Sequence, residues 1–266
     1  MDNNYFGMFK KIKDSCRENN VLDLQFYNEY FSSYYDALTK EMGDEDIRFY
    51  INYCMKYQSP ILELGCGGGR VSIALAKKKL YVTGVEKSED MLKIFERRLD
   101  TQYKRIKKYI KLYHQDAQAL NLPEKYNVVI FPATTIRLIK GELSTFFNGI
   151  YEVLAANGCF IFDFLDEESV DKDGIGLGPL EQYSFTDEEG HLNVVVYQPK
   201  IDSVNQLITY NFFASVFKEN IEHYLSYTKL RRLTKREICE QAEQSKFTSY
   251  EIEYVQGKYN FCILKK

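Results

Sequence analysis

An acid, alternating glycines and a cation run together in Glu63-Leu64-Gly65-Cys66-Gly67-Gly68-Gly69-Arg70. Glycines in a strand-to-helix turn let the main chain touch a ligand and aim amide groups at it, where any side chain would collide. A dinucleotide-binding turn requires Gly or Ala at the sixth position of GxGxxG. Arg70 occupies that position, so a nicotinamide dinucleotide fits poorly, and GxGxG behind an acid suits a different ligand. Two more acids stand at comparable places: Glu86 closes the run LYVTGVE, and Asp116 follows KYIKLYH.

These residues need elements to hold them. Ile47, Tyr50, Ile51, Cys54 and Met55 recur at helical spacing behind Gly43-Asp44, which predicts a helix with one buried face. ILEL, opening at Pro60, reads as a strand, the glycines as a tight turn and RVSIALAKK as a helix. LYVTGVE repeats the strand pattern. SEDMLKIFERRL repeats the helix, with Ser88 as cap and Leu92, Phe95 and Leu99 on one stripe. KYIKLYH and KYNVVIF add two strands, the second apolar enough for burial on both faces. A helix from Glu142 to Leu154 is expected to end at Asn157-Gly158, with CFIFDFL as the fifth strand. Strands alternating with helices predict a doubly wound α/β fold with a mainly parallel sheet.

Beyond Asp166 the pattern changes. DEESVDKDGIGLGP reads as a loop, and NVVVYQ, QLITYNFFASVF and ENIEHYLSY as antiparallel strands of an inserted sheet. Thr234 and Glu237 form a capping box, after which FTSYEIEYV and KYNFCILKK flank Gly257 as a closing hairpin and bring the main sheet to seven strands. Four segments result: a helical cap over 1–43, a ligand-binding α/β core over 44–165, an inserted antiparallel lid over 166–232, and completion of the core over 233–266.

Composition narrows the classes. The 266 residues are 45% hydrophobic and 27% charged, values of an ordinary globular chain. A formal net charge of −3 gives no general attraction for phosphate backbones. Six cysteines are scattered without a CxxC pair, against a zinc cluster or a disulfide framework, so no metal is expected. No apolar run approaches the roughly 18 residues of a spanning helix, and MDNNYFGMFKKIKDS lacks the apolar block of a signal peptide. The expectation is a soluble cytoplasmic protein away from membranes.

The stretch ILELGCGGGRVSIALAKKKLYVTGVEKSEDML resembles the nucleoside-binding half of class I S-adenosylmethionine methyltransferases, and the likeness continues through HQDAQAL, KYNVVIF and the final hairpin. The resemblance implies S-adenosyl-L-methionine as cofactor. Glu86, about 20 residues past the first glycine, is placed where a carboxylate accepts both ribose hydroxyls. Asp116 and the backbone of Ala117 match the position that reads the adenine amine, and Met91 the residue that packs on the base. By the same resemblance Gly65 and Gly67 approach the methionine portion, Glu63 its ammonium and Arg70 its carboxylate. Lys87 and Phe131 complete the cofactor set.

The acceptor class is read by elimination and by a second resemblance. DNA amino-methyltransferases carry Asn or Asp before Pro-Pro and an aromatic after the fourth strand; here the sequence is FPATT, with no nucleophilic Cys nearby, so DNA is not expected as a partner. KRIKKYIK and KLRRLTKR keep an RNA reading open, disfavoured by the overall charge. The inserted sheet resembles that of glycine N-methyltransferase-like enzymes and amino-sugar N,N-dimethyltransferases, whose sheets cover a small-molecule pocket. FYNEYFSSYYDALTKEM resembles their opening helix, and Tyr35, of the Tyr35-Asp36 pair, is expected near the reactive methyl as a cofactor-binding and catalytic residue. Small-amine N-methylation is the expected reaction. O-methylation of a hydroxyl or carboxyl acceptor and a non-catalytic cofactor-binding module stay open, as does a homodimer.

A neutral amine needs only alignment and a dry site, whereas a hydroxyl gains from a base. His223, in the inserted sheet, is the catalytic candidate for that role, while His114 reads as structural. Arg231, which the resemblance places before the last helix, joins Tyr210 and Arg137 as substrate-binding candidates. Removing a charge-assisted pair of hydrogen bonds costs about 2 to 4 kcal/mol. Glu86→Ala is therefore expected to weaken S-adenosylhomocysteine binding by that amount in calorimetry, and unchanged affinity would refute the assignment.

Overall fold

The structure, a computed structural model, describes residues 4–41, 43–167, 175–255 and 259–266. In chain order the elements run α1 (Gly7–Asp14), β1 (Val21–Asp23), α2 (Glu29–Lys40), α3 (Glu45–Tyr57), β2 (Ile61–Leu64), α4 (Arg70–Lys77), β3 (Val82–Glu86) and α5 (Glu89–Thr101). They continue with β4 (Ile110–His114), β5 (Tyr126–Phe131), α6 (Leu143–Val153), β6 (Leu154–Phe164), β7 (Ile175–Leu177), β8 (Glu181–Thr186) and β9 (Leu192–Asp202). The last are β10 (Leu207–Phe217), β11 (Glu222–Arg231), α7 (Lys235–Glu243), β12 (Ser249–Val255) and β13 (Tyr259–Lys265). Two compact units share them: Met1–Ala37 with Asp171–Arg232, and Leu38–Val170 with Leu233–Lys266.

The second unit is built on a seven-stranded sheet of order β12-β13-β6-β5-β2-β3-β4. β2 to β6 are mutually parallel, and β13 runs antiparallel to both β6 and β12. The chain leaves β2 toward β3 and β4 and then returns to place β5 on its other side, so the direction of winding reverses between β2 and β5. In open α/β sheets that reversal opens a crevice at the carboxyl ends of the strands. All four residues of β2 are buried, because both faces of the sheet are covered. Alternation along β5 shows the two faces: Val129 and Phe131 join Phe147, Phe160 and Ile238 on one, while Val128 and Ile130 join Tyr50, Val71 and Leu75 on the other.

One junction departs from the sequence reading. α6 stops at Val153 and passes directly into β6 at Leu154, so Asn157-Gly158 is not its cap. Leu154 pairs with Tyr126 and Cys159 with Val128, which leaves extra residues on β6. Asn157 absorbs them with a left-handed backbone, φ 61°, as a bulge. At other ends the local signals hold: Ser88 Oγ accepts from the Met91 amide at α5, and Thr234 Oγ1 from the Glu237 amide at α7. Gly257 lies outside the described residues, as does the part of the Asp166–Pro179 loop at 168–174.

The first unit holds a six-stranded sheet of order β1-β11-β10-β9-β7, with β8 also pairing β9. Val21–Asp23, too short to be read as a strand from sequence, pairs parallel to β11. Asn211, fully buried on β10, ties the N-terminal segment to the sheet: it donates to Asn4 O at 2.9 Å and accepts from the Phe6 amide at 3.0 Å. Beneath one face lie Tyr5, Phe9, Val21 and Leu225; against the other, Phe26 stacks on Phe212 at 4.5 Å and Phe31 and Tyr34 pack around it.

Gly69, at the N-terminus of α4, is a left-handed glycine whose side-chain space is already taken. Its φ is +89°, and a Cβ there would stand 2.2 Å from the Phe95 ring. Overpacking together with a left-handed backbone costs about 2 to 4 kcal/mol. Gly69→Ala is expected to lower stability by that amount in denaturant melts, and an unchanged midpoint would show that Phe95 moves freely.

Candidate functional site

The crevice of the second unit contains the glycine turn. A Cβ on Gly65 would lie 3.2 Å from Thr135 Cγ2 and 3.4 Å from the Phe131 ring, and a Cβ on Gly67 would lie 3.2 Å from Met91 Cε. Bare main chain is thus bordered by Phe131 and Thr135 on one side and Met91 on the other. Glu86 grips this turn from the end of β3. Its Oε2 accepts from the Gly67 amide at 3.0 Å, and its Oε1 from the Lys87 and Ser88 amides at 2.8 Å each. Burial pushes the Glu86 carboxyl above its ordinary pKa, and the three amides pull back against it. Arg98, on α5, donates to Gly68 O at 2.8 Å and braces the turn from behind.

Lys87 and Asp116 meet directly, Nζ to Oδ2 at 2.7 Å, and the Gln118 amide donates to Asp116 Oδ1 at 2.9 Å. Burial alone would raise Asp116, yet the Lys87 ammonium and the Gln118 amide outweigh it and hold the carboxyl below its usual range. Met91 is buried beneath this edge. A cavity of about 490 Å³ opens beyond Ala117 and is lined by Gln118, Lys140, Glu142, Thr145 and Phe146. Neither the glycines of the turn nor Glu86, Met91 and Asp116 line it, so it adjoins the site without being the site.

Deeper in, Glu63 is only 2% exposed and accepts from the Ser72 hydroxyl. Burial lifts its pKa to about 8, against the opposing pull of Ser72 and Arg70. Arg70 is held in a fork by both oxygens of Asp46, one bond measuring 2.9 Å. Any carboxylate it met would compete with Asp46. Arg137 is likewise engaged, in a buried ion pair with Glu167 at 2.6 Å. Removing one partner of such a pair is costly, so a substrate would compete with Glu167 for it.

The remaining candidates lie in the first unit, where register separates them. Along β10 and β11, Ser215 faces His223 and Leu207 faces Arg231, whereas Tyr210 faces Thr228 and Ala214 faces Tyr224. Successive residues of a strand point to opposite faces. His223 accordingly stacks on Phe213 and bonds Ser215 Oγ through Nδ1 at 2.9 Å, on the face of Tyr5 and Phe9. Tyr210 stacks with Phe212 on the other face, where Tyr35 packs edge-on against Phe26 and Tyr27. The catalytic candidates Tyr35 and His223 are therefore not brought together within this unit, and Arg231 takes the side of His223. His114 bonds the Lys87 carbonyl at 2.8 Å, in keeping with a structural role.

Residues 61–158 match the family described as the methyltransferase domain. Solved structures of the same fold include CcbJ from Streptomyces caelestis, a methyltransferase with TM-score 0.67 at 20% identity, covering 86% of this chain and 94% of its own. KedS8 from Streptoalloteichus sp. ATCC 53650, a sugar N-methyltransferase, aligns with TM-score 0.70 at 14% identity over 90% of this chain and 93% of its own. Residues 61–158 are thus similar to a methyltransferase domain, and the fold is shared with these structures. Among curated relatives, a Geobacillus sp. (strain WCH70) protein is 28% identical over 142 residues, 51% of this chain and 56% of that one. YqeM of Bacillus subtilis (strain 168) is 26% identical over 136 residues, 50% of this chain and 53% of its own. Both carry provisional methyltransferase names, and the chain spans about half the length of each.

Several residues around the glycine turn and the loop after β5 were not legible in the sequence: Asp46, Ser72, Arg98, Thr135 and Asp163. Only Asp163 left a trace, as a lone acid inside the apolar run CFIFDFL. Among the described residues no helix is long and apolar enough to cross a membrane, and no group of three or more metal-ligating side chains forms. Glu86 has a bracing role that sequence reasoning did not find: Glu86→Ala releases the Gly67, Lys87 and Ser88 amides, so the variant loses stability as well.

Glu63 gives the domain a pH signature. Its carboxyl ordinarily titrates at 4.5 and is raised to about 8 in the folded chain, so between those values the folded state binds more protons than the unfolded one. Stability accordingly falls as pH rises through that window. Glu63→Gln is expected to flatten this fall in denaturant melts taken from pH 5 to pH 8.5, and an unaltered slope would assign it to other groups.

Proposed function

We propose that this chain transfers the methyl group of S-adenosyl-L-methionine to a small molecule, with an amine nitrogen as the acceptor. The observation that carries the reading is the glycine turn gripped by Glu86 at the β2–β5 reversal, with the buried acid Glu63 just before it. The residues fit the cofactor. Gly65 and Gly67 offer main chain that a Cβ would obstruct, and Glu63 is a buried acid whose raised pKa marks the lack of a full cationic partner. When bound, this cofactor supplies an electrophilic methyl on a sulfonium centre.

In this reading Glu63 faces the ammonium and keeps the methionine end aligned. Three amides occupy three of the roughly four acceptor positions of the Glu86 carboxylate, and the one left takes a ribose hydroxyl. Asp116 and the Ala117 backbone read the adenine amine, Lys87 holds Asp116 ionised, and Met91 packs on the base. Phe131 borders the methionine half. Arg70, being forked on Asp46, serves the turn before it serves any cofactor carboxylate.

The acceptor reading draws on the neighbours. KedS8 is named a sugar N-methyltransferase, and CalS10 from Micromonospora echinaspora, an amino pentose methyltransferase solved with the cofactor bound, aligns with TM-score 0.65 at 16% identity over 90% of this chain and 99% of its own. Tyr35 and Tyr210 share one sheet face with Phe26, Tyr27 and Phe212, an aromatic surface suited to a small organic acceptor. His223 is on the other face, which favours an acceptor that needs no base over a hydroxyl. RNA stays outside the proposal, since a formal net charge of −3 gives no general attraction for a phosphate backbone.

Purified chain with methyl-labelled S-adenosyl-L-methionine is expected to label amino sugars or amino acids in preference to phenols, and labelled RNA alone would sink the proposal. Loss of one orienting hydrogen bond is worth up to about tenfold in rate. Tyr35→Phe is expected to slow turnover by that factor and to weaken cofactor binding less. Equal rates would reduce Tyr35 to packing.

A further inference from the structure

Asp163 lies near the end of β6 and is 1% exposed. Its two oxygens hold two different elements. Oδ1 accepts from the Tyr50 hydroxyl of α3 at 2.5 Å, and Oδ2 accepts from the Thr134 amide, in the loop after β5, at 2.7 Å. That loop carries two successive left-handed residues, Ala133 with φ 60° and Thr134 with φ 53°. Such a conformation is uncommon without glycine and least welcome for a β-branched residue, so it persists only where surrounding bonds enforce it. The Asp163 bond to Thr134 is one of those, and Thr135 Oγ1 bonding back to Pro132 O at 2.5 Å is another. Phe131 and Thr135, on either side of the strained pair, are the side chains that stand against Gly65.

A buried acid is costly to keep unless its lone pairs are used, and both partners here are donors that favour the carboxylate. Burial raises Asp163 to about 6, with Tyr50 and the Thr134 amide opposing and Asp46 and Arg70 adding smaller effects of opposite sign. A structural acid serving packing alone would be better replaced by an apolar residue, as in the rest of CFIFDFL.

We propose that Asp163 is a positioning residue: by fixing the Thr134 amide it holds Phe131 and Thr135 against Gly65, and so shapes the part of the site that takes the methionine half of S-adenosyl-L-methionine. Nothing in this role requires Asp163 to touch the cofactor. The inference rests on the cofactor placement proposed above.

The test compares S-adenosylhomocysteine with adenosine, which lacks the methionine half, in calorimetry on the full chain and on two variants. Asp163→Asn keeps shape but turns an amide nitrogen toward one of the two donors. A lost charge-assisted bond corresponds to about tenfold in affinity. S-adenosylhomocysteine affinity is expected to fall by that factor in Asp163→Asn, while adenosine affinity, titrated directly or by competition, changes less than about twofold. Tyr50→Phe keeps the Thr134 bond and loosens the carboxylate, so it should show the same selectivity with a smaller loss of about threefold; it carries the test alone should Asp163→Asn not fold. Equal losses for both ligands, or none for S-adenosylhomocysteine, would overturn the positioning role. Failure of the unaltered chain to bind S-adenosylhomocysteine would instead overturn the cofactor placement, and this inference with it.

Discussion

The grip of one carboxylate on three backbone amides is the joint on which the site is built. Glu86 ends β3, and Gly67 lies in the turn after β2, so the bonds from Glu86 to Gly67, Lys87 and Ser88 tie the ends of two adjacent strands into one piece. Backbone amides are fixed by the fold and need no ordering when a ligand arrives, which makes such a joint a preorganised one. Arg98 on Gly68 and Phe95 behind Gly69 oppose it from α5. The turn is thus held from both sides, and its free face is main chain.

Around that joint the domain collects more buried charge than its stability asks for. Glu63, Asp163 and the Asp46–Arg70 pair lie within one region, and two of these acids are pushed upward in pKa by burial. Each has an identifiable brace: Ser72 for Glu63, Tyr50 and Thr134 for Asp163, a two-pronged guanidinium for Asp46. Perturbed acids concentrated beside a glycine turn mark a binding site more readily than a packing core does. The strained pair Ala133-Thr134 belongs to the same region, and strain of this kind gathers where a ligand wall must keep one shape.

The six-stranded sheet contributes a different kind of constraint. Its register divides Tyr35 and Tyr210 from His223 and Arg231, because neighbours in a strand point apart. Aromatic residues dominate the α2 side, while the α1 side is filled by Tyr5, Phe9, Val21 and Leu225. Tyr210 therefore does not share a surface with His223 and Arg231, although one hairpin carries all three, and the face with the tyrosines is not the face with the histidine.

Much of this was legible in the residues themselves. The strand, turn and helix around ILELGCGGG, the acids Glu86 and Asp116, the Ser88 and Thr234 caps and the antiparallel character of the later strands all follow from local rules, since glycine turns, caps and alternation act over a few residues. Local rules also misled at Asn157-Gly158, where strand pairing with β5 converted a helix-ending signal into a bulge. What only the tertiary structure decided was pairing over distance: Glu86 with Gly67, Lys87 with Asp116, Arg70 with Asp46, Asp163 with Tyr50 and Thr134, and the separation of His223 from Tyr35. Those partners are set by strand order and by the desolvation of charges the fold buries, and neither quantity is written in the neighbourhood of any one residue.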